Sequence, residues 1–533
     1  MVSGEKIGRR AFLKYTGVAA LGLVVGAAAG WFLKPTPTGP TPTGPTPTER
    51  PYEGVHLTLL SHTYPFICKP FYKRRKQFEE ETGATLEILE EAPTDIYTKA
   101  MTELIAGTGA YDLITYNPCW MDISYYCIPL NNYIRQKDPG WGDILPSVKR
   151  NVMIGNNIMG WPLDGDVMIF AYRKDILQNP EYQREFKKEY GYDLPVPPKS
   201  WDEFRDVATF FTGWDWDGDG EIEYGSTELG RKERCFWGFY PRAYPMTILP
   251  GGPDKYHGVF HFDPETMEPL INSPGCIKAL EEFKYIVQKC SPPGVLANEF
   301  VEQMNEFTQG RALMILTAID VGPWANDPEK SSIKGKVGYA ICPGSKEVWD
   351  RKEETWIPAE GNFPEYAPGV NFKVYAIWGG WCVSITKTCK HPDAAWDLIY
   401  RVACLKSSLE DIMDAGTGYQ PYRYSHYDPL YLDEWYAPPV YEDDMLVKPQ
   451  YVDAKEYLEA YKLNQLYQYP ELRLPGQARY LDVLTTYVNK VISGEMDAKA
   501  ALDTVAREWD RITDDYGRDK MLKAYREGLG LPT

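Results

Sequence analysis

Val55-His56-Leu57-Thr58-Leu59-Leu60, then Phe71-Tyr72-Lys73-Arg74-Arg75-Lys76-Gln77-Phe78-Glu79-Glu80-Glu81 running to Gly83, then Thr85-Leu86-Glu87-Ile88-Leu89, form three consecutive runs, apolar, amphipathic and apolar. The order reads as strand, helix, strand, and it implies a sheet with helices packed on it. The pattern repeats at once. Tyr97 to Ile105 has helical periodicity stopped by Gly107, and Asp112-Leu113-Ile114-Thr115-Tyr116 is a buried strand. The first part of the body is therefore expected to be an α/β lobe. Ligands of such open sheets sit beyond the carboxyl ends of the strands, which places Ser61-His62-Thr63-Tyr64 and Asn117-Pro118-Cys119-Trp120 at a binding edge.

Upstream of this body, residues 1–34 combine a basic start, Gly8-Arg9-Arg10-Ala11-Phe12-Leu13-Lys14, with an apolar run from Gly17 to Leu33. The segment resembles a twin-arginine export signal; the alternative is an ordinary signal anchor whose arginines stay on the cytoplasmic side. The run spans about 26 Å as a helix, at the short end of what crosses a bilayer. The first cysteine is Cys68, inside the body, so no lipid-modified cysteine is available as a tether. The expectation is an uncleaved helix anchoring the protein on the extracytoplasmic face of the membrane, or a secreted protein if the signal is removed. Within a stalk of residues 35–50, Pro35 to Thr48 alternates Pro and Thr with Gly39 and Gly44, a composition that favours extended polyproline II and reaches roughly 43 Å. Anchor and stalk together look like those of archaeal surface binding proteins.

The 533 residues suffice for two large lobes, and 44% hydrophobic with 25% charged residues is the balance of a globular body. The net charge of -18 would repel phosphate backbones, so nucleic acid is not the expected partner. The 39 Tyr and 16 Trp exceed what a core needs and suit half-exposed binding surfaces. Ala279, Leu280, Phe283, Ile286 and Val287 fall on one helical face, as do Leu502, Val505, Trp509 and Ile512, and both stripes read as core. Ten cysteines in an exported chain permit disulfides. Cys119 with Cys127 and Cys382 with Cys389 are candidates by proximity, whereas Cys276 and Cys290, at the ends of one helix about 21 Å long, cannot pair.

One motif has metal-ligand spacing. Asp215-Trp216-Asp217-Gly218-Asp219-Gly220-Glu221-Ile222-Glu223 puts acids at loop positions 1, 3, 5, 7 and 9 and glycine at 6, the spacing of an EF-hand-type calcium loop. Ser226 stands at position 12, where that loop carries a bidentate Glu. A structural calcium held by Asp215, Asp217, Asp219, Glu221 and Glu223 is expected; the bland reading is an acidic turn without metal.

Several further phrases resemble, in order, extracellular solute-binding proteins of ABC importers of the maltose and multiple-sugar type. They are Gly160-Trp161-Pro162-Leu163-Asp164-Gly165-Asp166 with Phe170 to Asp175; Pro198-Lys199-Ser200-Trp201-Asp202-Glu203-Phe204, where Ser200 and Glu203 form a capping box; Phe307 to Met314 running into Gly322-Pro323-Trp324-Ala325; Trp378-Gly379-Gly380-Trp381 through Trp396; and Gly418-Tyr419-Gln420-Pro421-Tyr422-Arg423. The resemblance implies a two-lobed periplasmic-binding-protein-like α/β fold crossed three times by the chain, with residues 52–165 and 378–415 in one lobe and 166–377 and 416–533 in the other. It implies a monomer that closes an interlobe cleft on a small ligand and delivers it to permease subunits in the membrane.

A sugar offers hydroxyls and an apolar face, so its site needs polar side chains and aromatic rings. Carried over position by position, the candidates are Tyr64, Asn117, Trp120, Asp164, Asp166, Trp324, Trp381, Tyr419 and Arg423, with Trp237 and Asp320 added from loops of the second lobe. Trp161, Trp237 and Trp378 read equally well as core, Asp164 and Asp166 as caps at the hinge, and Arg423 as a structural ion pair. The rival classes are an exported glycoside hydrolase, which needs only two carboxylates about 5 to 10 Å apart, a non-sugar solute receptor of the same fold, and a surface-layer protein. No hydrolase, metalloprotease or phosphate-loop motif occurs, and His257 and His261, four apart around Gly258, do not sit in a helical pattern. The expectation is a binder and not an enzyme.

Overall fold

The opening strand, His56–His62, pairs in parallel with Thr85–Glu91 on one side and with Leu113–Tyr116 on the other. Between the first two strands runs the helix Lys69–Thr82, with Pro70 in its first turn and Gly83 closing it at φ 78°, a left-handed conformation that glycine adopts without a Cβ penalty. Its Phe71, Arg74 and Phe78 recur at helical spacing and are buried. Each buried phenylalanine contributes about 1.5–3 kcal/mol relative to exposure. The next helix, Pro93–Ala106, ends at Gly107, where φ is 66°. All five expected elements of this lobe are present, each within a few residues of its expected bounds.

The computed structural model describes residues 50–533 apart from Asp217, Ile319, Ala415, Asp443 and Asp444. The export signal, the anchor and all but the last residue of the stalk lie outside the described residues. Among the described residues, no helix is long and apolar enough to cross a membrane.

The body has two lobes, each built on one main sheet. The first sheet has strand order Thr85–Glu91, His56–His62, Leu113–Tyr116, Cys382–Ile385, Trp161–Pro162, the last two joining antiparallel. The second has order Val337–Ala340, Ile169–Arg173, Ala312–Thr317, Tyr224–Thr227. The helices Trp201–Phe211, Phe236–Thr247 and Pro274–Lys289 cover the second lobe, and the two apolar stripes read from the sequence are buried as expected. Ser200 caps the first of these helices by accepting the Glu203 amide at 3.4 Å; the Glu203 carboxylate returns to the amide of Lys199 and not to that of Ser200.

Three stretches run between the lobes side by side. Leu163 to Met168 leads from the first sheet to the second, and the Leu163 and Met168 amides donate to the Trp381 and Tyr375 carbonyls. Val374–Ala376, which leads back, pairs in parallel with Gln468–Pro470. The chain leaves the first lobe later than the expected residue 415. Ile67 donates to the Thr417 carbonyl, Leu145 to that of Tyr422, and Tyr424 donates to that of Asp143, so residues 417–424 are fastened to the first lobe. All ten cysteines are free thiols, so neither candidate pair, Cys119 with Cys127 or Cys382 with Cys389, is bridged. The Cys127 thiol donates to the Ile123 carbonyl and the Cys382 thiol to that of Tyr116.

Candidate functional site

The strand ends of the first lobe and the crossing segments meet at a cluster of rings. His62 and Trp120 flank Trp381 edge to face, with centroids 5.5 and 6.2 Å from it, and Tyr97 lies 5.6 Å from Trp120. Across from them, Trp237 and Trp378 are 5.6 Å apart, and the Arg234 guanidinium sits 4.8 Å over the Trp378 ring. A cavity of about 330 Å³ lies between the two sets, lined by Tyr97, Asn117 and Trp120 from the first lobe and by Arg234, Trp378 and Leu481 opposite. Asn117 is anchored by donating to the Gly380 carbonyl at 2.9 Å, which leaves its buried Oδ1 without a donor. Burial pushes the His62 imidazole below its ordinary range, against the hydrogen bond with the Thr63 carbonyl and the Glu90 charge.

The backbone explains how Trp378 reaches the cavity. Its φ of 50° is rare for a bulky residue, and Gly379 and Gly380 follow at 76° and 81°. A Cβ at Gly380 would lie 2.5 Å from the Asp164 carbonyl oxygen, so glycine lets the first and second crossings touch. Sequence reasoning read Trp378 equally well as core, placed His62 at the binding edge without naming it as a ligand group, and passed over Arg234 and Tyr97. The Trp-Gly-Gly-Trp phrase was the available signal, since paired glycines after a tryptophan mark a sharply turned backbone.

A second cluster is acidic. Asp164 is fully buried, Asp166 and Asp320 are half-buried, and the Asp164 carboxyl lies against that of Asp166 within the field of Asp320. Burial first, then these mutual charges, hold Asp164 and Asp166 well above the usual carboxylate range; burial also raises Asp320, against the hydrogen bond from Gln420. Gln420, buried beside the expected Tyr419, is a further polar group the sequence reading missed. Four residues after Asp320, the half-buried Trp324 has the Lys330 ammonium 4.6 Å over its ring.

The structure thus gathers Asn117, Trp120 and Trp381 with Trp237 nearby, and separately Asp164, Asp166 and Asp320. Trp237 is 5% exposed and reaches the cavity through its contact with Trp378. Tyr64 is exposed at 43%, edge-on to Tyr72 on the outer surface of its strand end. Two candidates are corrected. The Tyr419 hydroxyl donates to the Ile67 carbonyl at 3.2 Å. Arg423 is buried, donates to the carbonyls of Pro139 and Ala403, and lies over Trp161, so its guanidinium fastens the first lobe together.

In the loop with calcium-like spacing, one oxygen each of Asp215, Asp219 and Glu223 lies within 4.8 Å of the others. Asp215 also accepts the amides of Gly218 and Gly220, which wraps the loop around it. Asp217 lies outside the described residues. Glu221 departs from the expectation, because its carboxylate is turned to Arg311 at 2.6 Å.

Comparison with known proteins agrees with this architecture. A family profile described as bacterial extracellular solute-binding protein matches residues 73–443. A mannitol-binding protein of Pseudomonas aeruginosa is 24% identical over 287 residues, and a probable amino-acid ABC transporter periplasmic-binding protein of Sinorhizobium fredii 23% over 279. The alignments take in 52% and 50% of this chain, and the chain spans somewhat over half the length of these curated relatives, 58% and 57%. Among solved structures, a ribitol complex of an ABC transporter solute-binding protein from Agrobacterium radiobacter is similar with a TM-score of 0.62 at 23% identity, covering 87% of this chain and 100% of that one. The maltose-bound MalE3 of T. maritima has a TM-score of 0.63 at 20% identity, covering 86% and 100%.

Proposed function

We propose, since this chain belongs to the family of bacterial extracellular solute-binding proteins, that it is the extracytoplasmic receptor of an ABC importer, binding a small polyhydroxylated solute between its lobes and presenting it unchanged to the permease. The observation that carries this reading is the cavity of about 330 Å³ beside the crossing segments, with Asn117 and Trp120 on one wall and Arg234 and Trp378 on the other. Rings offer faces for C–H surfaces, while amide and guanidinium groups offer hydrogen bonds to hydroxyls. A ligand touching both walls favours the closed arrangement by its differential contacts, which is what a permease needs in order to tell loaded receptor from empty. The relatives named for mannitol, ribitol and maltose support a sugar or sugar alcohol. The protein acts as a monomer, tethered by residues 1–34 through the Pro/Thr-rich stalk.

Calorimetric titration of the full-length protein with ribitol, mannitol, maltose and glucose tests this reading. One ligand per chain, recovered intact, is the expected result. Release of reducing sugar would make a glycoside hydrolase the better description, and binding of amino acids alone would turn the reading to a non-sugar receptor.

The loop at 215–223 is a structural calcium site in this reading. Three hard oxygen donors converge there, and Gly220, at φ 89°, permits the turn at position 6. Asp215, Asp219 and Glu223 hold the ion, with Asp217 as the donor expected at position 3.

A further inference from the structure

The carboxylates at the first crossing are in no ion pair with Lys or Arg among the described residues, and the one basic group that bears on the neighbouring Asp320 is the Lys330 ammonium at a longer distance. Asp164 is 0% exposed, and the groups that meet its carboxyl are the amide and the carboxyl of Asp166, with no basic side chain paired to it. An ionised carboxylate sealed from water without a partner is strongly disfavoured, and such a group normally binds a proton or a cation. The nearest basic groups are engaged elsewhere. Lys330 pairs with Asp327 at 3.5 Å, Arg173 with Asp175 at 2.8 Å and Lys174 with Glu456 at 2.9 Å. Among the described residues, no Lys or Arg makes an ion pair with Asp164, Asp166 or Asp320.

The surroundings are aromatic. Tyr461 and Gln465 both donate to the Gly165 carbonyl, which fixes the turn between the two aspartates. Tyr427 and Tyr457 lie against Tyr461, with centroids at 6.0 and 6.4 Å, and Trp324 is one turn along from Asp320. Carboxylates flanked by ring faces are the surroundings an ammonium group prefers, through charge-assisted hydrogen bonds and cation–π attraction. A bare metal ion fits less well. Among the described residues, the one acidic group whose ligand atoms all fall within 4.8 Å is the 215–223 loop, so the three aspartates at the crossing are spread more widely.

We infer that the acidic corner formed by Asp164, Asp166 and Asp320 receives a protonated amine, so that the preferred solute is an amine-bearing polyol, such as an amino sugar or an amino alditol. The inference rests on the solute-receptor reading above and narrows its substrate class. The rings around Trp120 and Trp378 take the carbon skeleton, and the crossing carboxylates take the charge. Asp166 and Asp320, half-buried, meet the ammonium directly, while Asp164 supplies field from behind.

Calorimetry on the full-length protein at pH 7 tests this with matched probes: glucosamine against glucose, glucamine against sorbitol, with spermidine and calcium chloride as amine-only and metal-only arms. The amine of each pair should bind at least about tenfold tighter than its neutral partner, the worth of one charge-assisted hydrogen bond. Asp166→Asn and Asp320→Asn should each erase most of that preference while circular dichroism remains that of the parent. Equal affinity for amine and neutral partner, unchanged by both variants, would overturn the inference and leave the polyol receptor standing. Binding of spermidine without any polyol would sink the polyol reading while supporting the amine corner. Calcium binding lost on Asp166→Asn would replace the amine with a metal. No binding by any probe would remove both readings.

Discussion

Two groups of buried carboxylates lie in this molecule and are compensated in opposite ways. Asp411 and Asp414 face three cations: Arg74 reaches Asp411 at 2.9 Å, and Lys69 and Lys73 reach Asp414 at 2.9 and 2.6 Å. Among the described residues, Asp164, Asp166 and Asp320 are in no ion pair with Lys or Arg, and the Lys330 ammonium bears on Asp320 only from a distance. Burial pushes Asp411 up to about 6 even with Arg74 and Lys73 pulling it down. Without such cations, Asp164 and Asp166 are held well above their ordinary range. The compensated group ties the helix Lys69–Thr82 to Leu405–Met413 inside one lobe. The uncompensated one sits on a segment that crosses between lobes, where a ligand can supply the missing charge.

The largest effect should come from breaking the compensated group. Arg74→Ala leaves Asp411 buried with only the more distant Lys73, 3.7 Å away, and since outright loss of a buried pair's partner costs about 3–5 kcal/mol, the loss here should lie toward the lower end of that range. Urea unfolding should show it as a lower midpoint at unchanged slope. The mirror experiment is Asp164→Asn, which removes a buried unpaired acid and keeps its shape. Stability of the ligand-free protein at pH 7 should hold or rise, by about 1–3 kcal/mol. If Asp164→Asn instead destabilised as Arg74→Ala does, the crossing carboxylates would be architecture and the contrast would collapse.

That contrast was half legible in the sequence. The phrase around Asp164 and Asp166 marked a crossing because its residues follow a family order, and Asp320 precedes a Gly-Pro-Trp phrase, so all three could be named. Their lack of paired cations could not be read, because Arg74 and Asp411 are 337 positions apart and only the fold decides which acid meets which base. The same limit governs Arg423, which looked like a ligand group from its phrase and proved to bond the carbonyls of Pro139 and Ala403. Local order fared better. Gly83 and Gly107 end their helices because only a left-handed residue can close them there, and that information lies within a few positions of chain. Trp378 fell between the two cases, its unusual φ being a product of the crossing itself.

A third buried acid sharpens the comparison through pH. Glu471 follows the strand Gln468–Pro470 of the crossing bundle, and burial pushes it up to about 7, against hydrogen bonds from Tyr375 and Gln477. Its unfolded value is about 4.3, so the native state holds this proton longer than the unfolded chain does. The stability it contributes is complete below about pH 4 and is lost as pH rises through about 7, on the order of 3 kcal/mol across the window. Glu471→Gln should flatten the fall in urea midpoint between pH 5 and 8. An unchanged profile would assign that slope to other groups, Asp164 and Asp166 first among them.

The smallest effect belongs to the acidic loop, where Asp215 and Asp219 are exposed to water and only Glu223 is buried. Water screens these charges, so their mutual repulsion is weak and their removal costs the fold little. What distinguishes them from the crossing carboxylates is spacing, since three oxygens within 4.8 Å suit a calcium ion and leave no room for an ammonium with its substituents. Calcium at a hundredfold excess over its Kd should stabilise by about 2.7 kcal/mol, read as a rise of about 3 °C in Tm for a body of this size. Asp215→Asn should abolish that rise and leave glucosamine binding untouched, while Asp166→Asn should do the reverse. A calcium response that survives Asp215→Asn but disappears in Asp166→Asn would move the metal to the crossing and merge the two acidic sites into one.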